Sequence, residues 1–180
     1  MLNLNMVIVL PEVGQMKNFH LLLGVVLLAL PVAAQTNGTG IRMQSTVCAF
    51  EDGKRISVRY AQTSGSAKLN TGQLWPDTSR PMFLFSQATL RIGDSAIPIG
   101  AYRLYVIPGK KEWTLVVNKN VASDAKYDQQ QDLVRASMET GQVSGDNKKL
   151  RIYFGRDAPK QCEFRFYYGN AGAAVEFNEE

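Results

Sequence analysis

The chain carries one histidine and two cysteines, and after residue 34 it has no long apolar run. Each shortage removes a chemistry. The single histidine, His20, falls in a segment that reads as a removable secretory signal, so the processed chain has no imidazole for metal ligation or general-base work. Two thiols without histidine make a poor zinc site, and no Cys-x-x-Cys spacing is present for thiol redox catalysis. Twenty basic residues against sixteen acidic leave a formal charge of +4, scattered along the chain rather than gathered in a tract. That pattern argues against nucleic acid and against a polybasic membrane contact. Internal repeats and long helical periodicity are also lacking. No cofactor and no metal are expected.

What is present begins with the signal. Lys17 and His20 supply a short basic start, Leu21 to Leu30 an apolar core, and Val32-Ala33-Ala34 a small-residue cleavage site before Gln35. The apolar core is well short of the roughly 20 residues a spanning helix needs. Residues 1–15 precede Met16 and serve no purpose in such a signal, so translation is expected to start at Met16. The expected organisation is an upstream extension over 1–15, a signal peptide over 16–34, and one domain over 35–180, exported to the periplasm or beyond the cell. No transmembrane segment is expected in the mature chain. Lys17 and Glu12 cancel, so the +4 charge survives processing.

Cys48 and Cys162 are an even pair in an exported chain and read as one disulfide, with two buried thiols as the alternative. Such a bridge would join the first strand to a late one. In the chain-entropy picture it is worth about 4 to 5 kcal/mol.

The mature sequence alternates apolar and polar residues in the period-2 manner of strands, with turn residues at short intervals. Met43 to Phe50 and Arg55 to Gln62 flank Glu51-Asp52-Gly53 and should pair as a hairpin. Tyr102 to Ile107 and Trp113 to Asn118 should pair across Pro108-Gly109-Lys110-Lys111-Glu112. Further strands are expected at 83–85, 89–92, 96–99, 133–138, 150–154, 162–168 and 173–177, with loops over 63–81 and 123–131. About ten short strands predict an antiparallel β-sandwich or jelly roll.

Two patterns touch on catalysis. Ser123-Asp124-Ala125-Lys126 matches the Ser-x-x-Lys spacing of serine acyl-transferases, but Lys-Thr-Gly and Ser-Asp-Asn are missing. Asp124, Asp128 and Asp132 recur every four residues and on a helix would share one face, although the spacing is not that of a calcium loop. A small secreted hydrolase using loop serine or carboxylate chemistry is therefore the alternative function.

The leading expectation is a non-enzymatic binding or structural module of the bacterial envelope, and its sharper form is a binding surface. Alternation places Arg103 and Tyr105 opposite Tyr102, Leu104 and Val106, Arg151 and Tyr153 opposite Leu150, Ile152 and Phe154, and Arg165 and Tyr167 opposite Phe164 and Phe166. On a shared sheet these six residues would make a basic, aromatic face able to stack sugars or pair with anionic polymers. An ordinary wet sheet face with arginines lying over tyrosines has the same composition. The expected partner is an envelope glycan or another protein, the latter by strand addition to an edge.

Several segments resemble a bacterial family of exported domains known as domain of unknown function 2911. They are Gly53 to Tyr60, Pro98 to Gly109, Glu112 to Lys119, Tyr127-Asp128 and Asp132 to Arg135. The resemblance implies a signal peptide and a compact β-rich domain and brings no activity. Many family members carry Arg-Thr-Gly-Ala-Asn-Glu after the tryptophan that Trp75 matches, where this chain has Pro76 to Pro81. A ligand held by that stretch would be lost or changed here.

Overall fold

The computed structural model describes residues 41–62, 69–76, 79–122 and 124–180. The expected extension over 1–15, the signal over 16–34 and Ser123 of the Ser-x-x-Lys match lie outside them. Among the described residues nine antiparallel strands follow one another: β1 (Met43–Ala49), β2 (Arg55–Ala61), β3 (Met82–Ser86), β4 (Leu90–Ile92), β5 (Ser95–Ile97), β6 (Gly100–Ile107), β7 (Trp113–Asn118), β8 (Asp132–Ala158) and β9 (Gln161–Glu179). They form one sheet in the order β1-β2-β3-β6-β7-β8-β9-β4-β5. The protein is all-β, as the alternation predicts, and the sheet folds over as a sandwich.

The short hairpins form where turn residues allow them. Cys48 pairs with Ile56 and Ala49 with Arg55 across a turn in which Gly53 adopts φ +87°, a backbone region closed to most side chains. Asp52 Oδ1 accepts from Lys54 N at 2.9 Å inside that turn, and the Lys54 ammonium holds the Asp52 carboxyl below its usual range. β6 and β7 pair from Arg103–Asn118 to Ile107–Thr114. β4 and β5 pair around Gly93 (φ +54°). Trp75, inside the segment expected to be a loop, makes two backbone bonds with Val106 and so extends the sheet beyond β3. The Trp75–Pro76 peptide is cis.

Two expectations need correction. The strands read at 133–138 and 150–154 are parts of the single 27-residue β8, and those at 162–168 and 173–177 are parts of the single 19-residue β9. The glycine and polar residues between them, which look like turns in sequence, are bulged strand: the register shifts between Gln142 and Asn147 and again between Asn147 and Arg151 on β8, with Asn147 paired to Gly169 between the two shifts. The bulge bends the hairpin and sends the later half of β8 back beside β1. Phe154 N donates to Thr46 Oγ1 at 3.2 Å, and Gln62 Nε2 donates to the Leu150 carbonyl at 3.1 Å. The Cys48–Cys162 disulfide crosses this seam, joining first strand to last as expected.

The core lies between the folded halves. Ile56, Leu84, Leu104, Leu115, Phe164, Phe166 and Phe177 are fully buried in it. Trp75 and Trp113 both pack edge-on against Phe166, with ring centroids 5.3 and 5.6 Å away. Aromatic rings thus fill the space where the two halves approach.

Candidate functional site

The six residues of the expected Arg–Tyr face divide into two groups. β7 stands between β6 and β8, so Arg103 and Tyr105 are not neighbours of the other four. They are not exposed either, having 0 % and 2 % of their surface accessible. The cause is the connection from β7 to β8. This segment is closed at its base by Lys119 N donating to the Gln131 carbonyl at 2.9 Å, and it lies back across the sheet. Arg103 Nη1 donates to the Ala122 carbonyl at 3.0 Å, and its guanidinium sits 5.5 Å from the Phe83 ring and 5.8 Å from that of Tyr105. Tyr127 closes edge-on over Tyr105, centroids 5.2 Å apart.

The same segment shows what the regular aspartate spacing does. No helix carries Asp124, Asp128 and Asp132 along one face. Asp128 caps a 3-10 turn over Gln129–Gln131, and Asp132 opens β8. The Asp132 carboxylate accepts from Asn118 Nδ2 at 2.7 Å, Tyr127 OH at 2.6 Å and Arg135 Nε at 2.8 Å. Burial, and then the bond to Asp132, raise the Tyr127 phenol above its usual range, while the Asp132 bond holds the Arg135 guanidinium more firmly charged. These partners use the carboxylate fully as a clip for the segment. Among the described residues, no group of three or more histidine, cysteine, aspartate or glutamate side chains is placed to hold a metal ion.

The other four residues do come together. Arg151 lies opposite Tyr167 and Tyr153 opposite Arg165 on paired β8 and β9, so the two arginines and two tyrosines alternate on one face. The tyrosine rings are 6.1 Å apart, and the Arg151 guanidinium lies 5.4 Å from the Tyr153 ring. Tyr153 is 45 % exposed. Two glycines make the packing possible: a Cβ at Gly172 would stand 3.2 Å from the Tyr167 ring, and one at Gly155 would stand 3.1 Å from the Arg165 guanidinium. Arg165 bonds Glu163 through Nε and faces Asp157 at 3.6 Å, and the Glu163 bond is the main cause of its strengthened charge. Arg165 thus faces both carboxylates while Arg151 lies over Tyr153, and the four charges of Arg151, Arg165, Glu163 and Asp157 sum to zero.

A groove not legible in the sequence adjoins the patch. It measures about 650 Å³ and runs between the β4–β5 turn, the start of β8 and the end of β9. Ser95, Ser137, Glu139, Glu163 and Asn178 supply its polar walls. A shallower recess of about 250 Å³ continues from it, sharing Glu139 and Ala174, and reaches Tyr167 over Gly141 and Gly172. Only the pairing of strand segments distant in sequence brings these walls together. Alternation along β9 marks Glu176 and Asn178 as one face, but it puts Glu163 on the other, and only the change of outward parity between Tyr168 and Ala174 brings all three to one side.

The fold and these surfaces define a disulfide-closed, all-β domain with an open polar groove. The family model described as protein of unknown function (DUF2911) matches residues 44–177, and the chain belongs to that family. No curated protein and no solved structure gives a significant match. The disulfide is compatible with an exported protein, and among the described residues no helix is long and apolar enough to cross a membrane.

Proposed function

We propose that the protein is an exported, non-enzymatic binding module of the bacterial envelope and that it holds a glycan on the patch of Arg151, Tyr153, Arg165 and Tyr167. The supporting observation is the pair of tyrosines 6.1 Å apart, set among hydrogen-bonding charged groups on the outer face of the β8–β9 hairpin. Aromatic rings beside fixed polar groups suit a sugar, which has apolar C–H faces and a rim of hydroxyls. The balance of two guanidiniums with Glu163 and Asp157 favours a glycan over an anionic polymer, which needs uncompensated cations. Arg103 and Tyr105 have no part in this surface.

The test is retention of the purified protein on insoluble cell wall and a polysaccharide panel, at low and high salt. Retention is expected, and it should vanish in the double variant Arg151→Ala with Tyr153→Ala while the thermal midpoint stays within a degree or two, since exposed residues contribute little to stability. Equal retention by the double variant would end the proposal. Release of reducing ends from a bound polymer would move the reading to the hydrolase class.

A further inference from the structure

Beyond the patch lies the groove, and its chemistry narrows the ligand. We infer that it takes an unbranched, uncharged polysaccharide chain, which leaves the Tyr153–Tyr167 platform, crosses Gly141, and lies between the β4–β5 turn and the end of β9. The inference rests on the glycan-binding reading above and adds a route and a selectivity.

The route follows from continuity. The recess at Tyr167 and the larger groove share Glu139 and Ala174, so one path leads from the aromatic platform into the polar walls. At about 650 Å³ the groove alone falls within the roughly 300–1,000 Å³ of clefts that hold drug-sized ligands, and it is open rather than closed around a single small molecule. The recess runs over Gly141, paired with Gly172 across the strands. A Cβ at Gly141 would meet nothing within 4 Å, so the space above it is free for a ligand. Gly172 is covered by the Tyr167 ring and leaves no such space.

Selectivity follows from charge. Asp94, Glu139, Glu163 and Glu176 line the groove against one cation, Arg135, which is already bonded to Asp132. Within the groove an anionic chain would meet like charge from Asp94, Glu139 and Glu176, Glu163 being already paired with Arg165, a repulsion that a partly enclosed cleft screens less than open solvent does. Carboxylates, serines and Asn178 are instead good partners for sugar hydroxyls, which donate as well as accept.

The experiment compares retention on a neutral glucan, on polygalacturonate and on chitosan, for the wild type and for Gly141→Val. Valine suits a strand, and its side chain enters open space, so the variant should fold with an unchanged circular dichroism spectrum and midpoint. The expected result is salt-insensitive retention of the wild type on the neutral glucan, none on polygalacturonate, and a loss of about tenfold or more in Gly141→Val. Retention only on chitosan that disappears at high salt would reduce the groove to a cation trap and overturn the inference, as would a preference for polygalacturonate. Wild-type retention with Gly141→Val unaffected would overturn the route alone and leave the patch reading standing. No retention of the wild type on any polymer would defeat the patch reading and this inference together.

Discussion

Arg103-Leu104-Tyr105 and Arg151-Ile152-Tyr153 are the same three-residue pattern on two strands of one sheet, and their local geometry is nearly the same. In each, the guanidinium lies over the tyrosine two residues on, at 5.8 Å in the first and 5.4 Å in the second. Their surroundings are opposite. Arg103 has no accessible surface, while Tyr153 has nearly half of its own. A strand decides which side chains share a face, but a different part of the chain decides whether that face is covered. Over β6 the covering part is the β7–β8 connection, and over the later half of β8 nothing among the described residues plays that role.

The sharpest way to separate the two regions is to remove the disulfide, which closes the seam beneath the exposed pattern. Cys48→Ser with Cys162→Ser should lower stability by about 2 to 5 kcal/mol in chemical denaturation. Hydrogen exchange should quicken first around Thr46, Phe154 and Cys162, with the amides of β6 holding longest. Uniform quickening would mean that the seam and the β6 region open as one unit.

Arg103→Ala should come next, at about 2 to 4 kcal/mol, because it empties a filled site and strands the Ala122 carbonyl. The matched variant Arg151→Ala should stay within about 0.5 kcal/mol. Equal costs from urea unfolding of the two variants would erase the comparison. Asp132→Ala should cost about 1 to 3 kcal/mol by releasing Asn118, Tyr127 and Arg135 together. Limited proteolysis should then cut between Lys119 and Gln131, whereas uncut product would show that Arg103 and the Lys119–Gln131 backbone bond hold the connection without Asp132.

The smallest effect is in the alkaline range. Burial raises the phenols of Tyr105 and Tyr127 above the usual tyrosine value of 10.0. A phenol that ionises later in the folded state stabilises fully below its unfolded value, and that contribution is lost as pH rises through the folded one. The protein should therefore lose stability above about pH 10. Tyr60 and Tyr102 are raised by burial too, so the assignment needs Tyr105→Phe and Tyr127→Phe, each of which should flatten the alkaline loss measured by tyrosinate absorbance. An unaltered profile in both would place the effect at Tyr60 and Tyr102.

The period-2 pattern made the class and most strand positions legible, because in a half-buried strand the side-chain period and the burial period are the same. The Asp-Gly and Pro-Gly turns marked both hairpins for local reasons, since Gly53 takes a backbone angle that other residues avoid and a Cβ at Gly109 would collide with the Glu112 carbonyl oxygen. The two cysteines were readable as a pair from their number. The joining of four expected strands into β8 and β9 was not readable, because a bulge over Gly-rich sequence has the composition of a turn. Nor was the use of Asp132, whose partners Asn118 and Tyr127 find it only when the connection folds back.

By itself, then, the sequence determined which residues alternate, where the chain turns tightly and which side chains share a strand face, since these depend on neighbours a few residues apart. Strand order, the return of β8 to β1, the burial of one Arg-x-Tyr pattern and exposure of its twin, and the groove were decided by tertiary structure. Each of those depends on which distant segment lies alongside, and that is settled by how the whole apolar surface can be covered at once.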